Sequence, residues 1–323
     1  MKLQTRALYN LVRFGALEDP TLPAEPWQVE DLRTLPEEEL FERLKKFGIK
    51  LDKQHFIAYT EQVDSPEELT EILCDEEREE KSLDQLYLLL FELWRRLVPD
   101  KQSLSIFCDE LDRLFFLYDQ DRIEEEEPLQ EALSELEHLL DQGVDQGKEP
   151  EPFFLEVMSY CAHDASLFVR DYILDQILRG ETLYASELID GFNSYLPYPK
   201  WFAFFRSALL FETEEEEAMA HLEGLLEQAD LELLLAIADF LSRRGDPRLF
   251  VVAIRRARAL IALERDFQEL LALSCQFCQL FGKEKASEVF EKLLADRQDR
   301  SFDQALDPAD PVLATYDQLV EEL

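Results

Sequence analysis

The stretch ASELIDGF, residues 185–192, has an alanine, an apolar residue four places on and another three places beyond. The same pattern recurs in AMAHLEGL (218–225), AIRRARAL (253–260) and ASEVFEKL (286–293). The four leading alanines lie 33, 35 and 33 residues apart. A period near 34 is typical of stacked helix–turn–helix repeats, in which neighbouring hairpins bury a shared apolar face. The spacing predicts an α-solenoid of antiparallel helix hairpins, with these alanines at equivalent close-packed positions.

The composition favours helices throughout the chain. Apolar residues make up 46% of the 323 residues, and only 9 are glycine. Leucine and glutamate, both strong helix formers, are abundant. No paired alternating strands joined by a two-residue turn occur. The sequence therefore predicts a folded, soluble, all-α protein.

Breaks in the helical pattern predict three regions. Residues 1–120 form an N-terminal helical region, and residues 121–152 an acidic link with one helix at 128–141. The segment Gly143–Pro152, with two glycines and two prolines, ends that link. Residues 153–323 form the helical-repeat domain, and a helix at 311–322 caps it. Within that domain we expect helices at 153–162, 164–178, 181–194, 199–211, 214–229, 231–244, 247–263, 266–281 and 283–296.

Two of the repeated stretches resemble the second-helix signature of tetratricopeptide repeats. Gly180 precedes Ala185, Ile189 and Phe192, and Gly282-Lys-Glu-Lys-Ala286 is similar with a turn one residue shorter. The resemblance covers residues 164–296; the first-helix signature of the family is not met cleanly. It implies a right-handed superhelix whose concave face binds a peptide or a partner protein. Related α-solenoid families remain open.

The net charge of −38 restricts the partners that the chain can bind. Such a surface repels phosphate backbones and anionic lipids, so we expect neither nucleic-acid nor membrane binding. Acidity of this size is either a solvated surface or a means of attracting basic partners. The odd number of scattered cysteines is typical of reduced thiols, and no secretory signal is evident. We expect a cytoplasmic protein.

Catalytic and metal-binding patterns are weak. Cys275-x-x-Cys278 lies in a helical stretch without a second ligand pair, so buried packing residues are the simpler interpretation. The histidines are isolated, and Asp164 beside His163 is explained as a helix N-cap. We therefore expect no catalytic residues, no metal site and no cofactor.

Two clusters are candidates for partner binding. The first is aromatic and spans residues 195–205; it offers Tyr198, Trp201 and Phe205 as groove residues, although packing between repeats is the alternative. The second is an arginine strip, Arg248, Arg255 and Arg258, which fall within about 80° on one helix at 100° per residue. It either pairs with acidic neighbours such as 214–217 and 284–291 or docks an acidic segment of a partner.

The sequence thus predicts a non-enzymatic scaffold or adaptor that binds a partner protein or peptide on a helical-repeat surface. One alternative is a chaperone or gatekeeper for a secreted or assembling client. Another is a helical-bundle enzyme that uses carboxylates and a metal.

Overall fold

The protein is all-α, as its composition predicts. The computed structural model describes residues 5–74, 78–211, 213–244 and 247–323. These residues form eighteen α-helices and one short 3-10 helix, without a β-strand. The chain divides into two compact units, residues 1–169 and 170–323. The boundaries at residues 120 and 152 expected from the sequence stay a prediction.

The first unit contains nine complete helices and the start of a tenth. They are α1 (Thr5–Glu18), α2 (Pro26–Val29), the 3-10 helix (Leu32–Thr34), α3 (Glu37–Lys46), α4 (Lys53–Thr60), α5 (Pro66–Leu73), α6 (Glu80–Leu97), α7 (Leu104–Asp119), α8 (Glu127–Asp145), α9 (Pro150–Met158) and α10 (Ala165–Arg179). The break expected at Gly143–Pro152 is shorter in the structure, because α8 continues through Gly143 to Asp145.

The core of the first unit is built around α6. Every residue from Leu86 to Trp94 is buried, including Glu92. A helix that is apolar on all sides must be covered on all sides. Helices α3, α4 and α5 pack against α6, which places it at the centre of the core.

The second unit continues with eight further helices. They are α11 (Thr182–Phe192), α12 (Pro199–Leu210), α13 (Glu215–Leu226), α14 (Leu231–Arg244), α15 (Pro247–Leu260), α16 (Glu264–Leu280), α17 (Glu284–Ala295) and α18 (Pro311–Glu321). Consecutive helices pack as pairs, α12 with α13, α14 with α15 and α16 with α17. Alternate helices also touch: α14 packs on α16, and α13 packs on α15.

The four alanines do not occupy equivalent positions, so that part of the repeat prediction is wrong. Ala185 and Ala218 are each the fourth residue of their helix, whereas Ala253 is the seventh and Ala286 the third. The first three are fully buried, but Ala286 is only half-buried. Ser287 is buried in its place and lies 3.5 Å from the Cys275 sulfur of α16. A nearly constant interval along the chain does not give equivalent positions, because both the helices and the turns between them differ in length.

A segment without regular helix, residues 297–310, joins α17 to α18. Arg297 is 1% exposed, and its guanidinium forms a fork on the carboxylate of Glu264, at 2.5 and 2.6 Å. The same guanidinium reaches Asp310 at 2.8 Å. Backbone hydrogen bonds and an isolated antiparallel bridge between Leu263 and Ala305 hold the segment against the start of α16. Its polar groups are therefore satisfied despite the lack of a helix.

Candidate functional site

The second unit contains an open groove of about 840 Å³, which we call the acidic groove. Its apolar lining consists of Leu174, Trp201, Leu231, Leu235, Ala236 and Leu273. Its charged lining consists of Asp171, Glu232, Asp239, Asp266, Glu269, Arg170 and Arg265. The residues come from α10, α12, α14 and α16, so every second helix contributes. Five carboxylates and two guanidinium groups leave a formal charge of −3.

Helical periodicity explains the composition of the groove. On α14, Leu235, Ala236 and Asp239 lie three, four and seven residues after Glu232, which places all four on one face. The next residues on α14, Leu233 and Leu234 among them, are buried. The helix therefore turns its apolar sides to the core and presents a mixed charged and apolar face to the groove.

At one end of the groove, the protein holds a guanidinium of its own. The Arg170 guanidinium carbon lies 4.2 Å from the centre of the Trp201 ring and 5.5 Å from that of Tyr198. It donates to Asp171 at 2.8 Å and to Glu232 at 2.6 Å. Burial alone would lower the pKa of Arg170, but these two carboxylates hold it above its ordinary value. Aromatic faces and carboxylates in this arrangement stabilise a planar cation.

At the other end, Glu269 lacks a cation of this kind. The side chain of Glu269 forms no hydrogen bond or ion pair with any described residue. Desolvation by the groove walls raises the pKa of Glu269, and the negative charges of Asp266, Asp239 and Glu232 raise it further. Arg265 lies nearby but is 57% exposed and reaches Asp266 only at 3.4 Å. This end therefore has unbalanced negative charge.

Of the aromatic residues predicted to bind a partner, Trp201 lines the groove while remaining 94% covered. The half-buried Tyr198 is the N-cap residue of α12 and lies beside Arg170, outside the groove lining. Phe205 is fully buried between the other rings of α12. It belongs to the core and cannot touch a partner, so its assignment to the binding surface is corrected.

The arginine strip lies on α15, away from the groove. Arg255 donates to the backbone oxygen of Val320 at 3.3 Å, and Arg258 lies 3.3 Å from Asp317. Both partners belong to α18, not to the acidic stretches at 214–217 and 284–291 considered in the sequence. Arg248 is exposed at the start of α15. Arg255 and Arg258 thus contact α18, and Arg255 does so at the carbonyl end of that helix, where positive charge is favourable.

The first unit contains a buried polar cluster with an aspartate beside a histidine. Asp112 accepts hydrogen bonds from the backbone nitrogens of Ala162 and His163, and from the Asn10 side chain at 3.0 Å. Its carboxylate also lies 3.2 Å from Nδ1 of His163. The contacts of this cluster therefore connect α1, α7 and the turn before α10, which is a structural role.

Three other predicted features also have structural positions. Cys275 and Cys278 are buried in α16, which confirms the packing interpretation, and burial raises the pKa of Cys278 to about 11. Asp164 caps α10 by accepting hydrogen bonds from the backbone nitrogens of Ser166 and Leu167. In the part of the chain that the structure describes, no three His, Cys, Asp or Glu side chains cluster as metal ligands would.

The chain was compared with protein-family models, with curated proteins and with solved structures, and no significant match was found. Among the described helices, none combines the length and the apolar character that crossing a membrane requires.

The groove residues Arg170, Glu232 and Glu269 were missed in the sequence. In a chain with 71 acidic residues, a carboxylate at helical spacing carries little information. One pattern in the sequence could have indicated the groove. On α14 and again on α16, charged residues spaced three or four apart flank apolar residues, which predicts a helix face that is both charged and apolar.

Proposed function

We propose that the protein is a non-enzymatic interaction scaffold, and that the acidic groove binds a segment of a partner protein. The observation that carries this proposal is the groove itself. Four helices separated along the chain contribute to one open concavity, whose apolar residues lie between charged ones. A surface of this kind combines apolar contact area with polar groups that fix orientation.

The helix packing supports the more specific hypothesis that the second unit is a right-handed α-solenoid with tetratricopeptide-like hairpins. In a stack of hairpins, each first helix touches its own second helix and the first helix of the next hairpin. Helix α14 does both, since it packs on α15 and on α16. The groove is lined by α10, α12, α14 and α16, which would be the first helices, and α11, α13, α15 and α17 would form the other layer.

Site-specific photo-crosslinking tests the proposed function. A photoreactive residue replaces either Leu231, half-buried in the groove, or Leu183, which is 76% exposed on α11 and does not line the groove. We expect a defined crosslinked partner from position 231 in the producing cells, and none from position 183. A bulky Ala236→Phe substitution, which fills the groove, should suppress that crosslink while the melting curve stays unchanged.

Equal products from positions 231 and 183, or a crosslink that survives filling of the groove, would overturn the proposal. The proposal would also be overturned if the protein with the photoreactive residue at position 231 formed no crosslink in the producing cells while circular dichroism showed an intact fold.

A further inference from the structure

The two ends of the acidic groove differ in how their negative charge is balanced. Near α10, Asp171 and Glu232 share the guanidinium of Arg170, which is almost completely buried. At the other end, Glu269 has no cationic partner among the described residues, whereas Asp239 is paired with Arg243 at 3.1 Å. The groove is therefore built for more positive charge than it contains.

Arg170 demonstrates which chemistry the groove accommodates. Its guanidinium is held by an indole face and two carboxylates, and the guanidinium itself is almost completely covered. A basic side chain from outside would meet the Glu269 carboxylate at the other end, with the apolar Leu273 one turn further along α16. A phosphate or a carboxylate would meet uncompensated repulsion there.

We propose that the occupant of the groove is a basic amphipathic segment of a partner protein. An apolar side chain of that segment packs against Leu231 and Leu235, and a lysine or arginine pairs with Glu269. This inference rests on the proposed function and specifies its partner. The charge complementarity selects the occupant: the apolar floor alone would accept many peptides, and the excess of carboxylates favours the basic ones.

The test uses three short synthetic peptides as probes for the full chain, with fluorescence anisotropy at about 0.15 M ionic strength, where general attraction is screened beyond about 8 Å. The first peptide alternates lysines and leucines at helical spacing. The second has glutamates in place of the lysines, and the third has serines in place of the leucines. We expect the first to bind at least about tenfold more tightly than either of the others, which corresponds to about 1.4 kcal/mol.

Glu269→Gln should weaken binding of the lysine–leucine peptide by about fivefold, the effect of losing one charge-assisted contact at a partly exposed site. The matched control is Glu288→Gln, which removes an exposed carboxylate from α17 outside the groove. It should leave the affinity unchanged. Both variants lose one negative charge, so a difference between them cannot come from the net charge of the protein.

Equal loss in the two variants, or equal binding of the lysine–serine peptide, would overturn the inference in favour of nonspecific attraction. Preference for the glutamate–leucine peptide would overturn it in favour of an acidic partner. A groove crosslink at position 231 without binding of the lysine–leucine peptide would leave the proposed function intact and reject only the partner class. Failure of both experiments would reject both.

Discussion

Glycine is needed at position 143 because a larger side chain would not fit there, and not because the backbone needs a conformation that only glycine adopts easily. Gly143 lies inside α8, and a Cβ built on it would sit 1.9 Å from Cε1 of Phe153 on α9. The aromatic ring thus occupies the position of the missing side chain. Gly224 on α13 is the opposite case, since a Cβ there would meet no atom within 4 Å.

This difference predicts opposite effects of the same substitution. Gly143→Ala should lower the free energy of unfolding by about 2 kcal/mol, because Phe153 must leave its place. Gly224→Ala should raise it by about 0.5–1 kcal/mol, since alanine is the better helix former at an unobstructed position. Urea unfolding of the two variants measures both. A stabilised Gly143→Ala protein would mean that α9 is free to move away from α8.

Glu269 predicts a pH effect whose sign follows from its raised pKa. A carboxyl whose pKa is higher in the folded state favours folding below the unfolded-state pKa of about 4.3, and that contribution is lost as the pH rises through the folded-state pKa. Its neighbours in the groove are Arg170 and Asp171 on α10, Glu232 and Asp239 on α14, and Arg265 and Asp266 on α16.

Glu269→Gln should therefore raise the midpoint of thermal unfolding at pH 7, by about 1–2 °C for an exposed charge worth about 0.5 kcal/mol. The gain should disappear at pH 4, where the wild-type carboxyl is largely protonated. Thermal melts of both proteins at the two pH values measure it. A gain of the same size at pH 4 would assign the effect to the amide group rather than to the removed charge.

At the scale of elements, a buried ion pair connects α1 to the rest of the first unit. Arg6 of α1 lies 2.6 Å from the buried Asp109 of α7, and Arg33 of the 3-10 helix lies 2.7 Å from the same carboxylate. Burial alone would raise the pKa of Asp109, but Arg6 and Arg33 and the hydrogen bond from Asn10 hold it well below its ordinary value. The carboxylate therefore joins three elements distant in sequence.

Asp109→Asn should cost about 3–5 kcal/mol, because it leaves two guanidinium groups beside a neutral buried amide. The depressed pKa means that the stabilisation is present above the unfolded-state pKa of about 3.9 and is lost as the pH falls below it. Urea unfolding at pH 7 and pH 3 measures both statements: the variant should differ from wild type strongly at pH 7 and less at pH 3. The control is Asp145→Asn at an exposed site, expected to change stability by no more than about 0.5 kcal/mol. If Asp109→Asn lowered the free energy of unfolding by no more than the control does, apolar packing alone would hold α1 in place.

The positions of most helices could be predicted from the sequence, because apolar periodicity and proline positions are local signals. The prediction of a helix over 164–178 corresponds to α10 at Ala165–Arg179, and that over 199–211 to α12 at Pro199–Leu210. The four-residue helix α2 was missed since it is too short to show a period. The continuation of α8 through Gly143 was missed because the reason lies in Phe153, a contact between two helices that no local pattern reveals.

At the scale of the whole molecule, the charge is clear from composition but its arrangement is not. The total of −38 left two interpretations open, a solvated surface or the attraction of basic partners, and a local excess of negative charge lies at the Glu269 end of the acidic groove. Locating that end requires the tertiary structure, because only the tertiary structure shows which faces of α14 and α16 line the same groove. The arginine strip was visible in the sequence, whereas its contact with α18, about 60 residues further on, depends on the tertiary fold.

The net charge also predicts how stability responds to salt. Repulsion among the surface carboxylates should be screened at moderate ionic strength, where the Debye length is near 10 Å. The buried pair of Arg297 and Glu264, each 1% exposed, should be almost unaffected. We expect the midpoint of thermal unfolding to rise by about 2–4 °C between about 0.01 M and 0.15 M sodium chloride, about 1 kcal/mol for units of this size. A lower midpoint in salt would mean that exposed ion pairs outweigh the general repulsion.

The fork between Arg297 and Glu264 limits where the chain can be shortened. A truncated protein ending after α17 would keep Glu264 in a buried position at the start of α16 but lose the guanidinium that neutralises it. It would also uncover Phe267 and Phe290, whose rings pack against Tyr316 of α18. The last helix pair and the segment after it therefore form one folding unit, and a minimal fragment that retains the acidic groove must extend through α18.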